Sequence, residues 1–215
     1  MDPIRDWFVE DRGRRVAEAL KKREFNAHYV ENQEKAKEMI LKEVPPGATV
    51  GVGGSVTIRG LKVLEALKAR GHKVLDHWEI PREARDESFQ IRRAQQTSDV
   101  FLSSTNAVTL DGQLVNTDGA GNRVNGMVFG PRKAIVVAGV NKIVANVESA
   151  LRRIKEVAVP LNCRRLNFNP PCMQAGKCVD CRVPQRTCRI TTIIEWKPQF
   201  FSDYLVIIVG ENLGY

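Results

Sequence analysis

Apolar runs short enough for strands alternate along this chain with stretches in which apolar positions return every three or four residues. Phe25 to Val30, the run opening at Thr49, Lys73 to Leu75, Val100 to Ser103, Ala134 to Ala138 and Leu205 to Val209 are of the first kind and predict strands. The second kind predicts helices. One opens behind Asp2-Pro3, an N-cap followed by proline in the first turn, with Ile4, Trp7 and Phe8 as a packing stripe. A second runs from the cap Asn32 to about Glu43 with Ala36, Met39 and Ile40 on one face, and Pro45-Pro46-Gly47 ends it. A third turns Leu61, Leu64 and Leu67 inward, and others lie near Arg82 to Gln95 and Asn146 to Ile154. Asp111-Gly112 between two apolar runs predicts a hairpin. Strands alternating with helices imply an α/β fold with a mixed, mainly parallel sheet covered on both faces, whose ligands gather beyond the carboxyl ends of the strands.

Composition narrows this picture. At 215 residues and 43% hydrophobic, the chain is sized for one core, so a single domain over residues 1–215 is expected, with a cysteine-rich loop at about 160–190. The longest apolar run, Tyr204 to Val209, is far below the roughly 20 residues that span a bilayer, and no charged-then-apolar leader opens the chain. A cytoplasmic protein without a membrane span is the expectation. Thirty-three basic against 25 acidic residues give a net charge of +8, which favours an anionic partner. Nucleic acid is not favoured. Basic residues are interleaved with acids, as between Arg14 and Glu24, aromatics are only 7%, and no reader motif appears. A small metabolite bearing phosphate or carboxylate is expected instead.

Two segments could hold such an anion. In Thr49-Val-Gly-Val-Gly-Gly-Ser-Val-Thr-Ile58 a strand enters a glycine-rich turn ahead of a helix. There Gly53 and Gly54 allow close backbone approach, Ser55 and Thr57 add hydroxyls, and the unpaired N–H groups of the helix start attract negative charge. A plain tight turn would use the same glycines, and neither a phosphate-loop lysine nor a full dinucleotide fingerprint follows. The second segment is the polar stretch of Asn116, Asp118, Asn122 and Arg123, spaced by glycines after the hairpin. These are turn formers, but Arg123 adds a charged donor that a turn does not need. His28, His72 and His77 are scattered, and neither a Gly-x-Ser-x-Gly elbow nor a His-Glu-x-x-His motif is present, so ordinary hydrolase chemistry has no support.

The cysteines are concentrated. All five lie between Cys163 and Cys188, and Cys172, Cys178, Cys181 and Cys188 are separated by five, two and six residues in a proline-punctuated segment. Thiolates at such spacing select an iron–sulfur cluster or zinc. A cluster tolerates the irregular intervals and finds counter-charge in Lys177, Arg182, Arg186 and Arg189, whereas a zinc ribbon would bring a second Cys-x-x-Cys. Disulfides suit small secreted domains rather than this chain. Cys163 is a fifth ligand or a spare thiol.

With Thr105-Asn-Ala-Val-Thr, Asp111-Gly112, Leu114-Val-Asn116, Asp118-Gly119, Gly121-Asn-Arg-Val124, Phe129-Gly-Pro131, Gly139-Val-Asn-Lys-Ile-Val144, the cysteine segment and Gly210-Glu-Asn-Leu-Gly-Tyr215 in view, nearly the whole chain resembles the lactate-utilisation (LUD) domain family, closest to its stand-alone, cysteine-bearing members. The resemblance implies the sugar-phosphate isomerase and CoA-transferase superfold. It also implies a link to oxidation of lactate or a related hydroxy acid, alongside redox partner proteins that carry iron–sulfur clusters. In the superfold an early glycine turn holds phosphate or CoA, the place Gly53 to Thr57 occupies here, and Glu211 is a carboxylate within a family motif.

Three readings follow: a protein of lactate utilisation that binds an anionic metabolite and relays electrons, an acyl-CoA or sugar-phosphate enzyme, or a regulatory or scaffold module with structural zinc. No general base is identifiable, so no catalytic residue is assigned, and a homo-oligomer stays open.

Overall fold

The computed structural model describes residues 2–215. Its centre is a six-stranded sheet built from β1 (Asn26–Val30), β2 (Val50–Val52), β3 (Val74–Leu75), β4 (Val100–Ser104), β7 (Lys133–Gly139) and β10 (Asp203–Val209), in the order β1-β10-β7-β4-β2-β3. Every pairing in it is parallel. The reason lies in the strand sequences. Leu205, Ile207 and Val209 point into one apolar cluster and Tyr204, Val206 and Ile208 into another, so a single strand supplies both faces.

The first face is covered by α2 (Gln33–Glu43), α3 (Val56–Gly60) and α4 (Val63–Ala69), which bury Ile40, Ile58, Leu64 and Leu67. Asn32 caps α2 by accepting from the Lys35 amide at 3.0 Å, as its position predicts. The leucine-bearing helix is in fact two, broken where Lys62 takes a left-handed φ of 50°, yet Leu61, Leu64 and Leu67 all turn inward as expected.

The other face is covered by α1 (Pro3–Lys21) and by a second sheet that the sequence pattern foreshadows only as a hairpin. Here one expectation fails. Ile4, Trp7 and Phe8 are 75%, 64% and 54% exposed, so the stripe at the start of α1 does not pack. Only the second half of the helix overlies the sheet, through Gly13, Val16, Ala17 and Leu20, with Gly13 against the Tyr29 ring.

The second sheet has the order β8-β5-β6-β9, from β5 (Ala107–Thr109), β6 (Leu114–Asp118), β8 (Ile143–Val144) and β9 (Ile190–Ile194). The expected hairpin joins β5 and β6 antiparallel, with Gly112 at φ +81° in its turn. β8 adds in parallel and β9 antiparallel, which makes this the mixed sheet of the fold. Its outer face packs Ala107 and Val115 on Ala150 and Ile154. These last two belong to one long helix, α7 (Val147–Arg153) continuing through a π-helical turn (Ile154–Ala158) into α8 (Val159–Leu166). Pro160 at the start of α8 has no N–H to give the preceding turn, the ordinary cause of such a bulge. The remaining helices are α5 (Arg85–Gln95), α6 (Asn122–Val128) and the short α9 (Pro171–Ala175). Among the described residues no helix is long and apolar enough to cross a membrane.

Candidate functional site

In the first sheet, β2 is followed by β3 on one side, while the chain then crosses to β4 on the other and continues outward to β7. The two directions part at the carboxyl ends of β2 and β4, the place where open parallel sheets leave a crevice. A cavity of about 660 Å³ lies there. It is floored by Gly53 to Thr57 after β2, by Ser104 at the end of β4 and by Lys142 in the 3-10 turn after β7. Asp118 to Asn122, the bulged α7–α8 helix and residues 184–187 with Arg189 form its walls. Six cationic side chains line it, namely Arg92, Arg123, Lys142, Arg165, Arg186 and Arg189, against one acidic side chain, Asp118.

Arg123 is the hub of the wall. One terminal nitrogen donates to Asn116 Oδ1 at 2.6 Å and the Ser104 carbonyl at 3.2 Å, and the other to Asn106 Oδ1 and the Thr117 carbonyl, both at 2.9 Å. Its Nε lies 3.9 Å from Asp118, whose other carboxylate oxygen accepts from the Arg123 and Val124 amides and so caps α6. With its terminal donors spent inside the protein, Arg123 offers the cavity a fixed positive charge rather than free N–H groups.

Lys142 is 2% exposed, and its Nζ donates to Thr57 Oγ1 and Ser104 Oγ, each at 2.8 Å. Burial, then the charges of Arg153 and Arg123, pull this amine down to about 7. His77 is held down to about 4 by burial and then by Arg92. Gln95 Nε2 donates to the Leu75 carbonyl and to His77 Nδ1, so the imidazole is neutral with its hydrogen on Nε2. Two displaced titrations in one cavity make it a candidate functional site. Beside His77, the Trp78 ring carries the guanidiniums of Arg59 at 4.2 Å and Arg165 at 4.3 Å from its centroid.

The family model of the LUD domain matches residues 13–209. The chain belongs to the LUD domain family. Among solved structures, this LUD domain is similar to a DUF162 family protein from Deinococcus radiodurans, with 13% identity, a TM-score of 0.55 and coverage of 94% of this chain and 98% of that one. At that identity the likeness concerns the fold, which is the expected α/β arrangement of a mainly parallel sheet flanked by helices. No curated protein matches the chain.

Several sequence-nominated residues of this LUD domain reach the cavity, in roles that differ from those expected. Gly53 makes room for a protein group, since a Cβ there would sit 2.9 Å from Arg123 Cγ. Gly54 takes φ +71° beneath Trp78 and His77. Ser55 Oγ caps α3 by accepting from the Ile58 amide, and Thr57 Oγ1 donates to the Leu213 carbonyl while accepting from Lys142. α3 has only five residues, so the dipole expected at this turn is small. Asn116 is fully buried behind the wall, whereas Asp118, Asn122 and Arg123 line it. Glu211 stands apart from them all: its carboxylate accepts from the Gln33 amide at the start of α2. The residues that sequence reading missed are Arg92, Ser104, Lys142, Arg165 and His77 as a cavity residue. One signal was available for Lys142, a lone cation directly after a predicted apolar strand, on the side where ligands gather.

The cysteine segment of the LUD domain borders the same cavity. All five thiols are free, with Cys163 and Cys172 buried and Cys178, Cys181 and Cys188 half-buried. Burial first, then the neighbouring thiols of Cys163, Cys181 and Cys188, push the Cys172 thiol up, and Cys163 Sγ lies 3.2 Å from Thr187 Oγ1. The donor chemistry suits a soft metal, but the side chains as placed do not gather around one centre. Among the described residues no three His, Cys, Asp or Glu groups are arranged to hold an ion. Arg186, expected as counter-charge to sulfur, has its pKa raised first by the charge of Cys188, and it also donates to the carbonyls of Cys188 at 2.8 Å and Cys181 at 3.2 Å, while the Arg189 amide ties the segment to the Asp118 carbonyl.

Proposed function

We propose that this LUD domain binds a small carboxylate of lactate or related hydroxy-acid utilisation in the cavity between β2, β4 and the cysteine segment. The observation that carries this is the excess of five arginines over one acidic side chain around a volume suited to a metabolite. Arg92, Arg165 and Arg189 reach it from three different elements, and Arg123 adds charge from beneath. Isothermal titration with lactate, pyruvate, a phosphorylated sugar and a CoA ester tests the reading. Saturable binding of the carboxylates, weakening as salt is added, is expected. Tight binding confined to the phosphorylated sugar or the CoA ester would favour an enzyme of the superfold type, and heat from none of the four would favour a scaffold.

The cysteine segment supplies the second part of the proposal. Cys172, Cys178, Cys181 and Cys188 would hold an iron–sulfur cluster, with zinc as the alternative. A bound cluster supplies electron transfer to a partner protein, while zinc supplies only a tie for a poorly cored loop. Metal analysis and a visible spectrum on protein purified without oxygen separate these. Iron with broad visible absorbance supports the cluster, and stoichiometric zinc in a colourless sample replaces it.

A further inference from the structure

The hydrogen bonds around Lys142 leave one thing unspent. Thr57 Oγ1 gives its single hydrogen to the Leu213 carbonyl at 3.4 Å, and Ser104 Oγ gives its own to the Thr105 carbonyl at 3.2 Å. Each hydroxyl therefore meets Lys142 Nζ as an acceptor, and the two contacts at 2.8 Å use two N–H donors of the lysine. These are its only hydrogen-bond partners among the described residues, and no carboxylate there pairs with it. A neutral amine has two hydrogens and one lone pair. This site satisfies both hydrogens and leaves the lone pair free, whereas an ammonium would bury a third hydrogen and a full charge without a partner. The side chain is also fixed. It rises from the 3-10 turn directly after β7 and reaches the cavity with 2% of its surface exposed.

The surroundings define what such an amine would meet. Ser104 joins two basic groups, its hydroxyl accepting from the Lys142 amine and its carbonyl from the Arg123 guanidinium. A molecule small enough to touch both sides of one serine thus places an anionic group by the Arg123 charge and a second functional group at Nζ. An amine nucleophile that is uncharged near neutrality captures carbonyl carbon.

We infer that Lys142 is a covalent anchoring residue, whose amine forms an imine with the carbonyl of a 2-oxo acid seated in the cavity. The inference rests on the anion-binding reading above and names its substrate class. In the step, the Nζ lone pair forms the C–N bond. The carbonyl oxygen leaves as water, carrying the two hydrogens the amine gives up, and the imine nitrogen takes one proton from solvent. Nothing is oxidised or reduced. Thr57 and Ser104 hold the amine in place by accepting its two hydrogen bonds, and solvent carries its hydrogens to the departing oxygen. Burial assists in the same direction, since it keeps the amine near 7 rather than at an ordinary lysine value of 10.5.

The test uses the full chain with pyruvate or glyoxylate, sodium cyanoborohydride as the trap, and oxalate as a carboxylate with no electrophilic carbonyl. At pH 7 a single reduced adduct is expected, located at Lys142 by peptide mass mapping, suppressed by oxalate and absent from Lys142→Met. Because the adduct is mapped on the unaltered protein, the result does not depend on the variant folding. Oxalate binding measured by titration with no adduct, or with adducts spread over surface lysines, overturns the inference while leaving the anion cavity standing. Absence of both oxalate binding and adduct overturns the two together.

Discussion

The apolar core and the cavity wall of this LUD domain are held by opposite means. The six-stranded sheet is apolar on both faces, and its strands contribute alternate residues such as Ile207 and Ile208 to two separate cores. The four-stranded sheet joins the second of these cores through Val108, Leu114, Ile143 and Ile194, but beside the cavity the buried groups are Arg123, Asn116, Lys142, Ser104 and Thr105, joined by directed hydrogen bonds. The first kind of core is tolerant, because a lost methyl group forfeits only its own burial and the cavity it leaves. The second is not, because each removed partner strands another buried polar group. Scaffold and site are thereby separated: apolar burial builds a rigid frame, and the polar seam beside it keeps charges in place for a ligand.

The comparison breaks most readily at Arg123. Arg123→Met takes the guanidinium donors from Asn116 Oδ1, Asn106 Oδ1 and the Ser104 and Thr117 carbonyls. A loss of about 4 kcal/mol in chemical denaturation is expected for breaking such a buried charged network, together with loss of carboxylate binding. Ile207→Ala, at a fully buried position of the apolar core, is expected to cost about 3 kcal/mol and leave carboxylate affinity unchanged. If Ile207→Ala abolished binding as well, frame and seam would not be separable.

Lys142 sharpens the contrast through pH. Its folded value near 7 lies below the ordinary 10.5, so between these limits the unfolded chain binds the extra proton and native stability rises with pH. Below pH 7 both states are protonated and the full penalty is present. Lys142→Met removes it, so the variant is expected to be the more stable form at pH 6, with its margin shrinking steadily from pH 7 toward 10 in matched denaturation curves. A margin independent of pH would show that the lysine is not a buried, unpaired amine. The smallest effect belongs to Glu211, which stands outside the seam. Glu211→Gln weakens one exposed contact at the start of α2, so a change of about 0.5 kcal/mol and unaltered carboxylate titration are expected.

How much of this was written in the sequence varies with the range of the interactions. The strands of the first sheet and the helices between them are legible because burial on both faces writes itself as unbroken apolar runs, and helix burial as a period of three to four. Asn32 announced its cap by residue type alone. The first turns of α1 misled for the same reason: Ile4, Trp7 and Phe8 carry the right spacing, but spacing says nothing about where the sheet ends. β9, at Ile190–Ile194, was missed because its residues are half exposed and it exists by pairing with β6.

The site shows the same division. Composition and charge favour the anionic partner proposed above, and folding brings the glycine turn and Asp118, Asn122 and Arg123 to one cavity. Which donors remain free was not legible, since Arg123 spends its terminal donors on Ser104, Asn106, Asn116 and Thr117, groups that only folding brings to it. The motif left Glu211 open between a ligand contact and a helix-start role, and its carboxylate accepts from the Gln33 amide at the start of α2. Lys142 was passed over because its chemistry depends on desolvation and on two hydroxyls 85 and 38 residues away. The sequence by itself determined the alternation of strands and helices, the net charge and the thiol inventory, all of which follow from local pattern and count. The tertiary structure alone decided which charges are spent and which amine is left with a free lone pair, because desolvation and hydrogen-bond partnership are properties of neighbours in space.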